Sequence, residues 1–235
     1  MNFKKSILSI LLGLGLIGCA VEPAAVVEHN SLSSKEKSAG WQLLFNGESF
    51  SGWRNFKGEG VKPGWQVENG TMHHVKGGGD ILFDKVYSDF ELKLQWKISE
   101  AGNSGIFTRV SEDLKKPWMT GVEMQVLDNE KHGNGKNPLT CAGSAYALIA
   151  APKGVSRKVG EWQDVRIVVK GSSYQFFLNG MQTAAFDVDS AEWKALIAKS
   201  KFNKMPHFGT KKKGFVCLQD HNDKVWYRNI KVLEL

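Results

Sequence analysis

The segment Phe90–Ile98, FELKLQWKI, alternates without a break: Phe90, Leu92, Leu94 and Trp96 take one side, while Glu91, Lys93, Gln95 and Lys97 take the other. An extended chain sends successive side chains to opposite faces, so this run specifies a strand with one face in a core and one in water. Similar short apolar and aromatic runs recur from Trp41 onward, among them SGIFTRV, GVEMQVLD, EWQDVRIVVKG, SYQFFLNGMQTAAF, KGFVCLQDH and KVWYRNIKVLEL. Gly and Asn separate them. In ENGT and LNGM the Asn-Gly pairs supply the two positive-φ positions of a type I′ turn, which makes each a hairpin. The expectation is an all-β sandwich of two antiparallel sheets. One short helix is expected around Asp189 to Lys201, with Asp189 as cap, Glu192 three residues on, and Trp193, Leu196 and Ile197 sharing a face.

Ahead of Trp41 the strand pattern is absent. Lys4 and Lys5 precede an apolar run from Ile7 to Ile17 that is too short for a membrane span and has the form of an export signal. Leu16-Ile17-Gly18-Cys19 resembles the bacterial lipoprotein box, in which the cysteine is diacylated and becomes the N-terminus; a plain leader with an incidental cysteine is the alternative. Residues 1–18 are therefore expected to be a lipoprotein signal peptide, 19–40 a lipidated Cys19 with a flexible tether, and 41–235 the folded domain. The protein would be exported and anchored to a membrane, in the periplasm or on the outer-membrane face.

With 42% hydrophobic and 23% charged residues, the 235-residue chain has the composition of one globular domain. Its formal charge of +7 falls to +5 once Lys4 and Lys5 are removed with the leader. The excess sits in Lys211–Lys213 and scattered lysines, with no basic stripe interleaved with aromatics, so a nucleic-acid partner is not expected. Cys141 and Cys217 remain after Cys19; a disulfide and two buried thiols are both open. Gly77-Gly78-Gly79 has no following helix and is not a phosphate cradle. His73 and His74 are adjacent, face opposite ways on a strand, and read as surface or rim residues.

The stretch GVEMQVLDNE holds the densest chemistry. Glu123 and Gln125 share a strand face, and a β-bulge between Val126 and Asp128 would bring Asp128 to the same side. A polar row is costly to bury without partners; a solvent-exposed strand face is the plain alternative. GNSGIFTR adds Asn103, Ser104 and Arg109 on a neighbouring run, with Arg109 on the face of Phe107. CLQDHN adds Gln219 and His221, which point the same way. Trp118 and Trp53 are candidates for exposed stacking platforms.

Taken in order, LLFNGESFSGW, GNSGIFTR, GVEMQVLDN, EWQDVRIVV, FFLNG, FGTKKKGFVCLQDHND and VWYRNIKVLEL resemble the successive motifs of the 3-keto-disaccharide hydrolase family, over nearly all of Trp41 to Leu235. That family has a concanavalin A-like lectin/glucanase jelly roll, so the resemblance implies a jelly-roll catalytic domain over 41–235. Where the family shows Gln-Asp-His-Gly, Asn222 follows His221 here; Asn also tolerates positive φ, so the turn is expected to survive.

The resemblance implies a carbohydrate substrate whose sugar carries a ketone at C3. Such a ketone acidifies C2–H, so cleavage needs one base, stabilisation of the C3 oxygen and a proton for the leaving group. The expected catalytic residues are Glu123 and His221, one as base and one at the leaving group, with Arg109 at the enolate. Gln125, Asn103, Ser104, Gln219 and Trp118 are expected to hold substrate, and Asp128 to orient Arg109 or His221. No spacing demands a cofactor, although Glu123, Asp128 and His221 together offer ligands for a divalent metal. A retaining glucanase and a noncatalytic carbohydrate-binding module are the rival readings.

Overall fold

The alternating run Phe90–Ile98 is a nine-residue strand whose exposure alternates along its whole length. The computed structural model describes residues 29–235, so the leader, Cys19 and the first part of the tether lie outside the described residues. In chain order the elements are α1 (Ser34–Ser38), β1 (Gln42–Leu43), β2 (Trp53–Asn55), β3 (Trp65–Glu68), β4 (Thr71–His74), β5 (Ile81–Phe83), β6 (Phe90–Ile98) and β7 (Asn103–Val110). There follow β8 (Val122–Leu127), β9 (Gln163–Lys170), β10 (Ser173–Leu178), β11 (Met181–Asp187), α2 (Ala191–Lys199), β12 (Phe215–Leu218) and β13 (Val225–Glu234).

Two antiparallel sheets form a jelly-roll sandwich. The larger, eight-stranded sheet runs β11-β10-β9-β6-β13-β4-β3 with β1 added to β13, and the smaller, five-stranded sheet runs β2-β5-β12-β7-β8. Their inner faces supply the core: Leu92, Leu94, Trp96, Ile167, Phe176 and Tyr227 from the larger sheet meet Ile81, Ile106, Met124, Val126 and Leu218 from the smaller. Both Asn-Gly hairpins form as their chemistry requires, with φ of 50° and 69° at Asn69-Gly70 and 51° and 83° at Asn179-Gly180.

Helix α2 is capped one residue later than expected. Ser190 Oγ, not the Asp189 carboxylate, accepts from the Trp193 amide at 3.1 Å, because Asp189 instead pairs with Lys212 at 2.6 Å. Trp193 stacks on Phe186 at 4.5 Å and Phe208 at 6.3 Å. That stack fixes the segment after α2 against the domain.

The described end of the expected tether is docked rather than free. Asn30 N–H donates to Asn229 Oδ1 at 2.6 Å, Asn229 N–H returns the bond to Asn30 Oδ1 at 2.9 Å, and Asn30 Nδ2 donates to Gly70 O at 2.8 Å. Helix α1 carries a Ser33/Glu36 capping box, and Glu36 also pairs with Lys231 of β13. Folded structure therefore extends ahead of Trp41, to at least Asn30. Cys141 and Cys217 are two separate buried thiols.

Candidate active site

The polar row of β8 lies on the outer face of the smaller sheet. Strands β7 and β8 pair in unbroken register, Gly105 opposite Gln125 and Phe107 opposite Glu123. Opposed residues in an antiparallel pair share a face, so Asn103, Gly105, Glu123 and Gln125 project together while Ile106, Met124 and Val126 enter the core. Gln219 joins them at the end of β12, where its N–H donates to Gly105 O at 2.9 Å. The segment Gly143–Tyr146 covers the outer edge of β8, with Tyr146 N–H donating to Glu123 O at 3.1 Å.

These elements line a cleft of about 320 Å³. Asn103, Glu123, Gln125, Gln219, His221 and Trp118, all expected from the sequence, are in it. Tyr146, Lys201, Phe202 and Met205 line it as well, and no sequence pattern points to them, since three come from the irregular segment after α2 and one from the loop edging β8. Gly105 did leave a signal. A glycine inside a strand run marks a close approach, and here a Cβ on Gly105 would lie 2.2 Å from Glu123 Oε1. The absent side chain is the room in which the Glu123 carboxyl lies.

Glu123 is 8% exposed. Burial pushes its carboxyl up to about 8, with Lys201 pulling down and Asp80 pushing further up. Among the described residues no group hydrogen-bonds this carboxyl, so its oxygens are free to meet a ligand. Lys201 is solvent-exposed, its ammonium lies 4.1 Å from the Tyr146 ring centroid, and partial desolvation lowers its pKa against the opposing pull of Glu123. Asn103 Oδ1 and Gln219 Oε1 are buried acceptors without a partner. Buried polar atoms are normally satisfied, and two orphans in one cleft point to donors supplied by a ligand. Gln125 is already partly committed, donating to Thr140 O at 3.3 Å. Trp118 is 37% exposed and offers a flat face at the rim.

Three expected site residues are elsewhere. Arg109 has φ of 52° and sits in a β-bulge, where Phe215 pairs with Val110 but Cys217 pairs with Phe107. The extra residue turns Arg109 off the face of Phe107 and sends its side chain inward. There it is 2% exposed. Its guanidinium donates to Ser88 O at 2.8 and 3.0 Å, to Gly171 O at 2.7 Å and to Asp89 Oδ1 at 3.1 Å, which ties the two sheets together. Ser104 also faces inward, its hydroxyl 2.8 Å from both Gln219 O and Tyr227 Oη.

Asp128 stays off the cleft because the bulge expected beside it does not form. It accepts from Ala101 N at 2.7 Å and Glu130 N at 2.9 Å, fixing the turn between β6 and β7. With Asp128 away from Glu123 and His221, the three do not converge on a metal, and among the described residues no His, Cys, Asp and Glu cluster has metal-holding geometry. Trp53 is buried, its indole donating to Leu44 O at 2.7 Å, and is not a stacking platform.

His221 lies on the loop after β12 with its side chain 52% exposed, and Asn222 takes φ of 67° as the turn demands. Asp220 anchors that loop from below. His73 and His74 are both buried, contrary to the surface reading. His74 Nε2 lies 2.9 Å from Asp220 Oδ1, and its Nδ1 is 2.9 Å from Asp223 O. Burial opposes charge on this imidazole, but Asp220 and the Asp223 carbonyl outweigh it and hold its pKa above the ordinary value. Burial likewise works against the Asp220 carboxylate, and His74 with two backbone amides overcomes it, taking Asp220 down to about 2.

The sequence profile of the 3-keto-alpha-glucoside-1,2-lyase-like domain matches residues 40–233. The 3-keto-disaccharide hydrolase of Bacteroides thetaiotaomicron is 30% identical over 237 residues, covering 87% of this chain and 82% of that one. A candidate glycosyl hydrolase from Parabacteroides distasonis ATCC 8503 superimposes with a TM-score of 0.83 at 34% identity, covering 88% of this chain and 100% of that one. A Bacillus subtilis protein with a galectin-like fold, 12% identical with a TM-score of 0.53 over 78% of this chain and 90% of that one, shares the fold alone.

Proposed function

Because this chain belongs to the 3-keto-alpha-glucoside-1,2-lyase-like family, we propose that it is a glycoside-cleaving enzyme whose substrates are glycosides oxidised to a ketone at C3 of the sugar. The observation that carries this reading is the single buried carboxyl of Glu123, pushed up to about 8 at the floor of the cleft. A carboxylate of raised basicity suits removal of a carbon-bound proton, since a base works best with its pKa near the working pH.

In the proposed reaction Glu123 takes the proton from C2, and the electron pair of that C–H bond moves to the C3 oxygen as an enolate. His221, one step beyond Gln219 on the polar side of the cleft, donates to this developing negative charge. Collapse of the enolate breaks the C1–O bond, and the leaving oxygen takes a proton, for which Lys201 beside Glu123 is the donor. Water then adds across the C1–C2 double bond of the enone, OH to C1 and H to C2, so the net change is hydrolysis. Asn103 Oδ1 and Gln219 Oε1 accept from sugar hydroxyls, and Gln125 completes the row.

A retaining glucanase needs two carboxyl groups about 5 to 5.5 Å apart. Among the described residues lining the cleft, Glu123 is the one carboxylic acid, which favours the single-base route. The test is incubation of the mature domain with a 3-keto-glucoside and with the matching unoxidised glucoside, with and without a chelator, following the freed alcohol. Cleavage of the keto sugar alone is expected. Cleavage of the plain glucoside would restore the glucanase reading, and tight binding without product would make the protein a carbohydrate-binding module.

Export and lipidation at Cys19 are proposed from the leader alone. Palmitate labelling of cells producing the full chain is expected to mark it, and the label is expected to vanish in Cys19→Ala.

A further inference from the structure

We propose that the half of the cleft beyond Glu123 is a leaving-group subsite for an aromatic, hydroxyl-poor aglycone, so that 3-keto-glucosides of aryl-alkyl alcohols are preferred over 3-keto-disaccharides. This rests on the 3-keto-glycoside reading of the same cleft. Strand register divides the cleft into two chemically different ends, with Glu123 between them. Toward one end Gln219, Gly105 and Gln125 lie in a row across β12, β7 and β8, with Asn103 a further step along β7. The two orphaned acceptors, Asn103 Oδ1 and Gln219 Oε1, are both here. This end is built for hydroxyl donors and holds the keto sugar.

The other end is carbon and sulfur. Trp118 precedes the start of β8, Tyr146 is bonded through its backbone to Glu123, and Phe202 and Met205 close the wall from the segment after α2. The two polar groups on this side are the Tyr146 phenol and the Lys201 ammonium, and the ammonium already lies over the Tyr146 ring. A second sugar placed here would lose water from its hydroxyls and find carbon in exchange, and each hydrogen bond left unmade costs binding. A flat apolar ring has no such loss. It stacks on the half-exposed Trp118 and meets the Met205 thioether, a favourable pairing for aromatic rings.

Because C2 of the sugar must sit above Glu123, with C3 toward the polar end and C1 toward the apolar one, the bond to be broken crosses from the polar end to the apolar one. The experiment compares kcat/KM for 2-phenylethyl 3-keto-glucoside with that for a 3-keto-glucosyl-glucose of the same anomeric configuration. Both leaving groups are alcohols, and the sugar hydroxyl is the more acidic, so a preference for phenylethanol reports binding rather than leaving-group ability. We expect kcat/KM to favour the phenylethyl glycoside by about tenfold or more, mainly through KM, and the ratio to fall toward unity in Trp118→Ala. A disaccharide turned over as well as or better than the phenylethyl compound overturns the subsite while leaving the keto-sugar chemistry standing. No turnover of either overturns both.

Discussion

Glu123→Gln is expected to lower kcat/KM on a 3-keto-glucoside by about 10³ to 10⁴-fold, the contribution of a well-placed general base, while making the protein more stable at neutral and alkaline pH. The two effects have one cause. The carboxyl lies buried over Gly105 with no hydrogen-bond donor among the described residues, so the folded state favours its protonated form. Unfolded, the same group titrates near 4.5; folded, it titrates near 8. Ionising it therefore weakens the fold progressively as pH rises from about 4.5 to about 8, and the stability present below that window is lost above it. At about 1.4 kcal/mol for each unit of difference, the total is on the order of a few kcal/mol.

Gln carries no such titration. Melting temperatures of the parent and Glu123→Gln should nearly coincide at pH 4.5 and separate by roughly 10 °C at pH 9. The parent's kcat/KM should climb with pH and level off above about 8 if the carboxylate is the base. Gly105→Ala tests the same geometry without removing the acid. Its Cβ would overlap Glu123 Oε1, and since the end of a long side chain moves more easily than a strand, the carboxyl swings away and the backbone stays. A misplacement of about 1 Å costs about 100-fold in rate. A Gly105→Ala enzyme with full activity would show that this carboxyl has no defined working position.

The second large effect is on stability alone. Arg109→Ala is expected to cost about 3 to 5 kcal/mol, the usual penalty for breaking a buried, fully bonded charge, or roughly 10 °C in melting temperature for a domain of this size. The carbonyls of Ser88 and Gly171 lose their donor, Asp89 loses its partner, and the two sheets lose a clamp. Alanine at φ near 52° keeps the backbone strain and none of the compensation. Below the melting transition the folded variant should retain kcat/KM within about twofold, because the guanidinium reaches the far side of the smaller sheet. A loss of about 100-fold or more in the folded variant would return Arg109 to the chemistry.

These two arginine and glutamate positions show how unevenly the site could be read in advance. Glu123 and Gln125 were legible because side-chain direction on an uninterrupted strand follows from counting by two. The same count put Arg109 on the wrong face. One extra residue in β7 reverses every direction after it, and a bulge is set by how β12 pairs with β7, which is not a property of either segment alone. Asp128 failed for the complementary reason: a bulge was expected beside it, and β8 runs without one. The histidines misled in another way, since adjacency on a strand assigns His73 and His74 opposite faces but not their partners. Asp220, whose carboxylate lies 2.9 Å from His74 Nε2 and holds it buried, is 146 residues away in the chain.

The sequence by itself determined the class of fold, the two Asn-Gly hairpins, the helix near Trp193 and the strand that holds Glu123, because alternation, turn conformation and capping act over a few neighbouring residues. Tertiary structure decided which polar groups share the cleft. It replaced Arg109 with Lys201 as the cation near Glu123, brought Tyr146, Phe202 and Met205 to its apolar end, and raised the basicity of the acid by burying it. A charge's surroundings and a loop's destination depend on segments far apart in the chain, so they exist only once the two sheets have paired and closed.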